Sequence, residues 1–204
     1  MTAESNYLDA IEALEDDNRE LALEHARKAV KIDPEHVDAW RVISDASLPG
    51  LRLQPTLKQA AQSLSAAKKV VALQPDDLGM WVRGGRILSD ELGLYMDALQ
   101  WWQDARHQAP EEVTPIVEQA AILADMGLYG EATERLQSIF DENMDLATTQ
   151  YSRVARLHQM CQLASQQDPR EHFKPWEKHH DGWAAITLRT VSYTHLRAHE
   201  TFAN

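Results

Sequence analysis

Apolar residues recur along this chain in helical steps, and the steps come in pairs. Tyr7, Leu8, Ile11 and Leu14 form one stripe; Leu21, Ala22, Ala26, Ala29 and Val30 form the next. Spacings of three and four put such side chains on one face of a helix. Asp16-Asp17-Asn18 interrupts the two stripes, and Asp17 or Asn18 can cap the second helix. Pro34 stops that helix. A second pair opens near His36, with Trp40 on its first helix, and closes near Leu73. Thr56 followed by Gln59 reads as a capping box for its second helix. Trp81, Gly85 and Leu88 begin a third pair, which Ala98, Trp102 and Ala105 complete. Val113, Ile116 and Val117, then Leu136 and Ile139, mark a fourth. Tyr151, Val154, Leu157, Cys161 and Leu163 predict one more helix, the start of a fifth pair or a terminal cap. After Asp168-Pro169 the periodicity fades, with Phe173, Trp176 and Trp183 set among charges.

The pairs share a register. Ala22, Ser63, Ala98 and Ala132 occupy equivalent places, and Pro34, Pro75 and Pro110 each follow 12 residues after one of the first three. Trp40 and Trp81 each follow a proline by 6 residues. Ala98 and Ala132 are 34 residues apart. A period of this length with helix–turn–helix content marks a repeat array, whose core is buried by stacking neighbours. From Trp40 to Trp81 is 41 residues, so the second unit carries about seven extra residues, expected in the loop Ser47–Gln54, since insertions in arrays map to loops. Met126-Gly127-Leu128-Tyr129-Gly130-Glu131-Ala132 is the clearest turn.

The small–small pattern, the terminal proline, the tryptophan after it and the Gly127–Tyr129–Ala132 turn resemble tetratricopeptide repeats (TPRs) over residues 3–144 and up to 165. The resemblance implies an all-α, right-handed superhelical array of antiparallel helix pairs, with first helices lining a concave groove. The expected division is an array over 1–165, a cap or truncated continuation over 166–190, and a non-native tail over 191–204. The tail, Val191 to Thr201 above all, resembles a string left by sequencing-adapter read-through on unrelated metagenomic sequences, and such scars stand outside fold reasoning.

Charge narrows the partners. The formal net charge is −12, which argues against nucleic acid, whose binding needs a basic face, and against anionic membranes. The lone Cys161 permits no intrachain disulfide. Neither a signal sequence nor a long apolar run is evident, so a cytoplasmic protein is expected.

In proteins similar to this one, ligand-facing positions follow the tryptophan on each first helix. Here those places hold Arg41 and Val42, then Val82, Arg83 and Arg86, then Val117, Glu118 and Ala121. Guanidinium forks suit carboxylates, so Arg41, Arg83 and Arg86 are expected to form a positive patch, with Val82 and Glu118 beside it. The bland alternative pairs each arginine with Asp38, Asp45 or Asp90. The chaperone-tail clamp of some family members does not carry over, because Tyr7, Ile11 and Val42 replace its lysine and asparagines. Trp40, Trp81 and Trp102 read as core; Trp101 reads as either exposed or buried against the next unit. His172, His179 and His180, with nearby acids, carry the only hint of a metal, but their spacing matches no metal motif. Cys161 reads as buried packing, and no Gly-rich phosphate loop is present.

The expected function is therefore a scaffold that binds a peptide or protein, with acidic or C-terminal carboxylate groups suiting the arginines. It needs no cofactor and does no chemistry itself. The competing reading is a regulatory or substrate-recruiting module of a larger enzyme truncated near residue 190.

Overall fold

A computed structural model describes residues 2–49, 53–142, 144, 146 and 148–166. Those residues fold as α-helices with no strand among them. The tail and the histidines His172, His179 and His180 lie outside the described residues. The chain divides into two compact units, Met1–Pro110 and Glu111–Asn204.

The first unit holds α1 (Ala3–Glu15), α2 (Arg19–Ile32), α3 (Val37–Ser47), α4 (Leu57–Leu73), α5 (Leu78–Arg86) and α6 (Tyr95–Gln108). Caps fix the starts. The Thr2 hydroxyl accepts from the Ser5 N–H and the Asn18 side chain from the Leu21 N–H, each satisfying one amide that a helix start leaves open. The expected capping box of Thr56 and Gln59 is present. Alanines make the close approach of α1 and α2 possible: Ala10, Ala13, Ala22 and Ala26 are all buried.

The repeat register appears in the backbone. Asp17, Gly93 and Gly127 take φ of 54°, 63° and 79°, and each precedes its small residue, Ala22, Ala98 or Ala132, by five positions. This left-handed turn suits glycine and is tolerated by aspartate. The counterpart position of the second helix pair, Lys58, lies inside α4 instead. Helix α4 begins six residues before Ser63, whereas α2, α6 and α8 begin three before their alanines. The insertion therefore lengthens a helix as well as a loop. Ser47 is buried at the end of α3 rather than in the loop.

Ser63 in an alanine position is matched by Ser44. The Ser63 hydroxyl donates to the Ser44 carbonyl at 2.7 Å, and the Ser44 hydroxyl returns a bond to the Ser63 carbonyl at 3.1 Å. Both buried hydroxyls are thereby satisfied, as burial requires.

Helices α5 and α6 approach through two glycines. A Cβ on Gly84 would lie 2.3 Å from the Trp101 ring, and one on Gly85 would lie 2.3 Å from the Trp102 ring. Trp101 is buried, not exposed. Its indole N–H donates to the Trp81 carbonyl at 2.7 Å, and the two rings lie 4.6 Å apart. Neighbouring tryptophans do diverge around α6, but each finds a glycine opposite. Helix α5 continues into a π-helical turn, Ile87–Glu91, closed by the Leu92 N–H bonding to the Ile87 carbonyl.

The second unit holds α7 (Thr114–Asp125), α8 (Tyr129–Asp141) and α9 (Thr148–Gln166). Ile116, Ala120, Leu136, Ile139, Val154 and Cys161 are its buried residues of note. Helix α9 packs on α8 and reaches α7, as α3 does with α2 and α1. It thus takes the place of the first helix of a further pair.

Candidate functional site

The first-helix arginines are held by acids. Arg41 on α3 donates to Asp77 through Nε at 2.8 Å and Nη2 at 2.6 Å, to Asp38 at 2.5 Å and to the Gln74 side-chain oxygen at 2.7 Å. Burial opposes its charge, but the bonds to Asp77 and Asp38 outweigh that and raise its pKa. Arg83 on α5 pairs with Asp45 on α3. Arg86 is exposed one turn further on, and among the described residues no carboxylate pairs with it. Arg41, Val82, Arg83 and Arg86 thus sit on neighbouring helices of one unit, with Asp38, Asp45 and Asp77 interleaved. Three arginines against three aspartates leave this surface without a formal excess of positive charge. Glu118 belongs to the other unit, where it accepts from Arg153 at 2.8 Å.

A different surface keeps its positive charge. Helices α2 and α4 both pack on α3, and an open trough runs between them. One cavity of about 540 Å³ takes in Arg19, Glu20, Leu23, Ala46, Lys58 and Gln59 among its lining. A second of about 320 Å³ takes in Val30, Lys31, Trp40, Ile43, Ser65 and Ala66. Arg27 and Gln62 line both, so the two are one continuous feature. The apolar lining comes from Leu23 and Val30 on α2 and from Trp40, Ile43 and Ala46 on α3; the rim is cationic.

Local structure explains most of that rim. Arg19 tethers the start of α2 to the end of α3, its Nη1 donating to the carbonyls of Asp45 at 3.1 Å and Leu48 at 2.9 Å. Arg27 and Lys31 stand one helical turn apart near the C-terminal end of α2, where the helix dipole favours cations. Lys58 is the exception. It sits in the first turn of α4, which carries no acid, and there the dipole disfavours a positive charge. Among the described residues no carboxylate pairs with Arg27, Lys31 or Lys58, while the adjacent Lys28 is paired with Glu24 at 2.7 Å. The missed signal is that all four bases of residues 1–34 fall on α2.

Among the described residues no group of three or more His, Cys, Asp or Glu side chains gathers as a metal site would need. Cys161 is buried, and burial, then the charge of Asp125, push its thiol pKa up, the reverse of an activated nucleophile. No described helix is long and apolar enough to cross a membrane.

No family model matches the chain, and no curated protein matches it. Solved structures do. "MamA MSR-1 C2" superposes with a TM-score of 0.52 at 15% identity, over 78% of this chain and 79% of that one. "MamA RS-1 ArsTM double mutant" gives 0.55 at 14%, over 98% and 97%. TTC0263, a thermophilic TPR protein in Thermus thermophilus, gives 0.46 at 15%, over 96% and 99%. The fold is TPR-like. At such identities the likeness concerns the fold, and the partner has to be argued from the TPR-like chain's own surfaces.

Proposed function

We propose that this TPR-like protein is an interaction scaffold that captures a peptide or a segment of another protein and performs no chemistry of its own. The observation that carries the reading is the trough between α2 and α4. It exposes apolar side chains beside polar ones that no internal partner engages, and clefts of this kind are where ligands lodge. Stacked helix pairs supply extended surfaces of fixed shape, which is what a scaffold needs.

The arginine surface supports a second reading. Arg86 is exposed, and the acids that hold Arg41 and Arg83 also fix their guanidinium planes. A ligand carboxylate could then be met by Arg86, with Arg41, Arg83 and Val82 as neighbours and Glu118 as the corresponding position of the other unit. Cytoplasmic location and the absence of nucleic-acid and membrane partners belong to the same proposal; the charge of −12 supports the last two.

Selection from a random peptide library, followed by hydrogen exchange with and without the selected peptide, tests the proposal. A binding peptide that protects amides of α2, α3 and α4 is the expected result. Protection along α3 and α5 around Arg86 would favour the second reading. A library that yields no binder would overturn the scaffold reading.

A further inference from the structure

We propose that the α2–α4 trough binds an acidic amphipathic segment of a partner protein, and that Arg27, Lys31 and Lys58 read its carboxylates. This rests on the scaffold reading and names its site and its ligand chemistry.

Charge complementarity selects the occupant. The whole chain carries a net charge of −12, yet the trough lining holds Arg19, Arg27, Lys31 and Lys58 against the single acid Glu20. Arg19 is occupied with backbone carbonyls. The other three cations are exposed and border the trough from two sides, Arg27 and Lys31 on α2 and Lys58 on α4. A neutral or basic segment would leave them uncompensated. An acidic one would meet them with charge-assisted hydrogen bonds, roughly twice as strong as neutral ones.

Lys58 strengthens the case. Its charge opposes the dipole of its own helix, so nothing local accounts for it, whereas a carboxylate in the trough would. The floor sets the second requirement. Half-buried Leu23, Val30 and Trp40 offer apolar surface over the buried Ile43, so the segment must carry apolar side chains on one face and acids on the others. An amphipathic helix laid into a groove meets both demands, with anchors every three or four residues. Helix α2 has 14 residues and so is about 21 Å long at 1.5 Å per residue, room for about four turns of a docked helix.

The test uses the full chain and a labelled synthetic 14-residue peptide with leucines at helical spacing and glutamates elsewhere. Its partner probe has every glutamate replaced by lysine. Fluorescence anisotropy should show the acidic peptide binding and the lysine peptide not. Affinity should fall as salt is raised from 50 to 500 mM, because exposed charges are screened. The triple variant Arg27→Glu, Lys31→Glu, Lys58→Glu should weaken binding at least tenfold with an unchanged circular-dichroism spectrum. Should reversal disturb folding, the glutamine versions of the same three residues serve. Arg156→Glu, at an exposed position on α9 that lines neither cavity, should leave binding unchanged.

No binding of the acidic peptide, or equal binding of the lysine peptide or by the triple variant, overturns the proposal. So would a single-stranded RNA oligomer that displaced the peptide and bound more tightly. If library-selected peptides bind but ignore the three substitutions, the trough assignment fails while the scaffold reading stands.

Discussion

Replacing Gly85 by alanine should destabilise the protein, although the same change in a helix usually does the opposite. The substitution ordinarily gains about 0.5–1 kcal/mol, because glycine weakens helix interiors. Here the new Cβ would lie 2.3 Å from Cζ2, 2.4 Å from Cε2 and 2.7 Å from Nε1 of Trp102. Carbon atoms are comfortable at about 3.5–4.0 Å, so the ring would have to retreat by more than about 1 Å. Trp102 is 1% exposed, and a close-packed interior offers no such room. Overpacking costs about 1–3 kcal/mol; three close atoms on a rigid ring place this site at the top of that range. Subtracting the helix gain leaves a net loss of ~2 kcal/mol, or about 1 M in the urea midpoint at a slope of ~2 kcal/mol/M. Tryptophan fluorescence during urea unfolding reads it. Gly130→Ala is the control: it lies in α8 with nothing within 4 Å of the new Cβ, and should gain about 0.5–1 kcal/mol. A Gly85→Ala protein as stable as the wild type would refute the close approach of α5 and α6.

Trp81→Ala should cost ~3–5 kcal/mol, the range for truncating a buried aromatic. The ring is 8% exposed, its N–H donates to the Pro75 carbonyl at 2.8 Å, and it packs on Trp101; a loss under ~1 kcal/mol in the same urea assay would place it at the surface. Chymotrypsin should nick first after Leu53, which is 71% exposed, since exposed loop residues are preferred sites; early cuts within α3 or α4 would contradict the described helix ends. Cys161 should resist thiol reagents in the folded state. Its pKa is raised above the ordinary 9.0 by burial and then by Asp125. The stability it contributes is therefore present below pH 9 and lost as pH rises above that value, because the unfolded chain releases the proton more readily. Labelling at pH 8 as fast as in urea would refute its burial.

The fold was legible where a residue's reason is local or repeated. The five-residue offset from Asp17, Gly93 and Gly127 to their alanines is written in the chain, and the left-handed turns follow from it. Thr56 and Gln59 announced their capping box because both partners lie within one turn. What escaped reading depended on pairs distant in sequence. Ser63 stands where the other pairs have alanine, and the reason is not local: its partner Ser44 is 19 residues away. The burial of Trp101 depends on Gly84, the glycine that admits its ring, which belongs to another helix. For the insertion, spacing fixes how many residues are extra, while capping decides where the helix begins.

The candidate site divides along the same line. Charge type and helix position gave Arg41, Arg83 and Arg86 a common surface, and α3 and α5 do lie near one another. Their aspartate partners come from across helices: Asp77 lies 36 residues from Arg41, and Asp45 stands on α3 against Arg83 on α5. A cation already held by a carboxylate has little left to offer a ligand, whereas an unpaired one beside a cleft keeps its charge for one. Arg27, Lys31 and Lys58 have no carboxylate partner among the described residues, and the trough that separates α2 from α4 is lined by the single acid Glu20. The same separation that opens the trough also preserves its charge. Narrowing the trough by filling its floor should therefore act on ligand binding before it acts on the helices that form its walls.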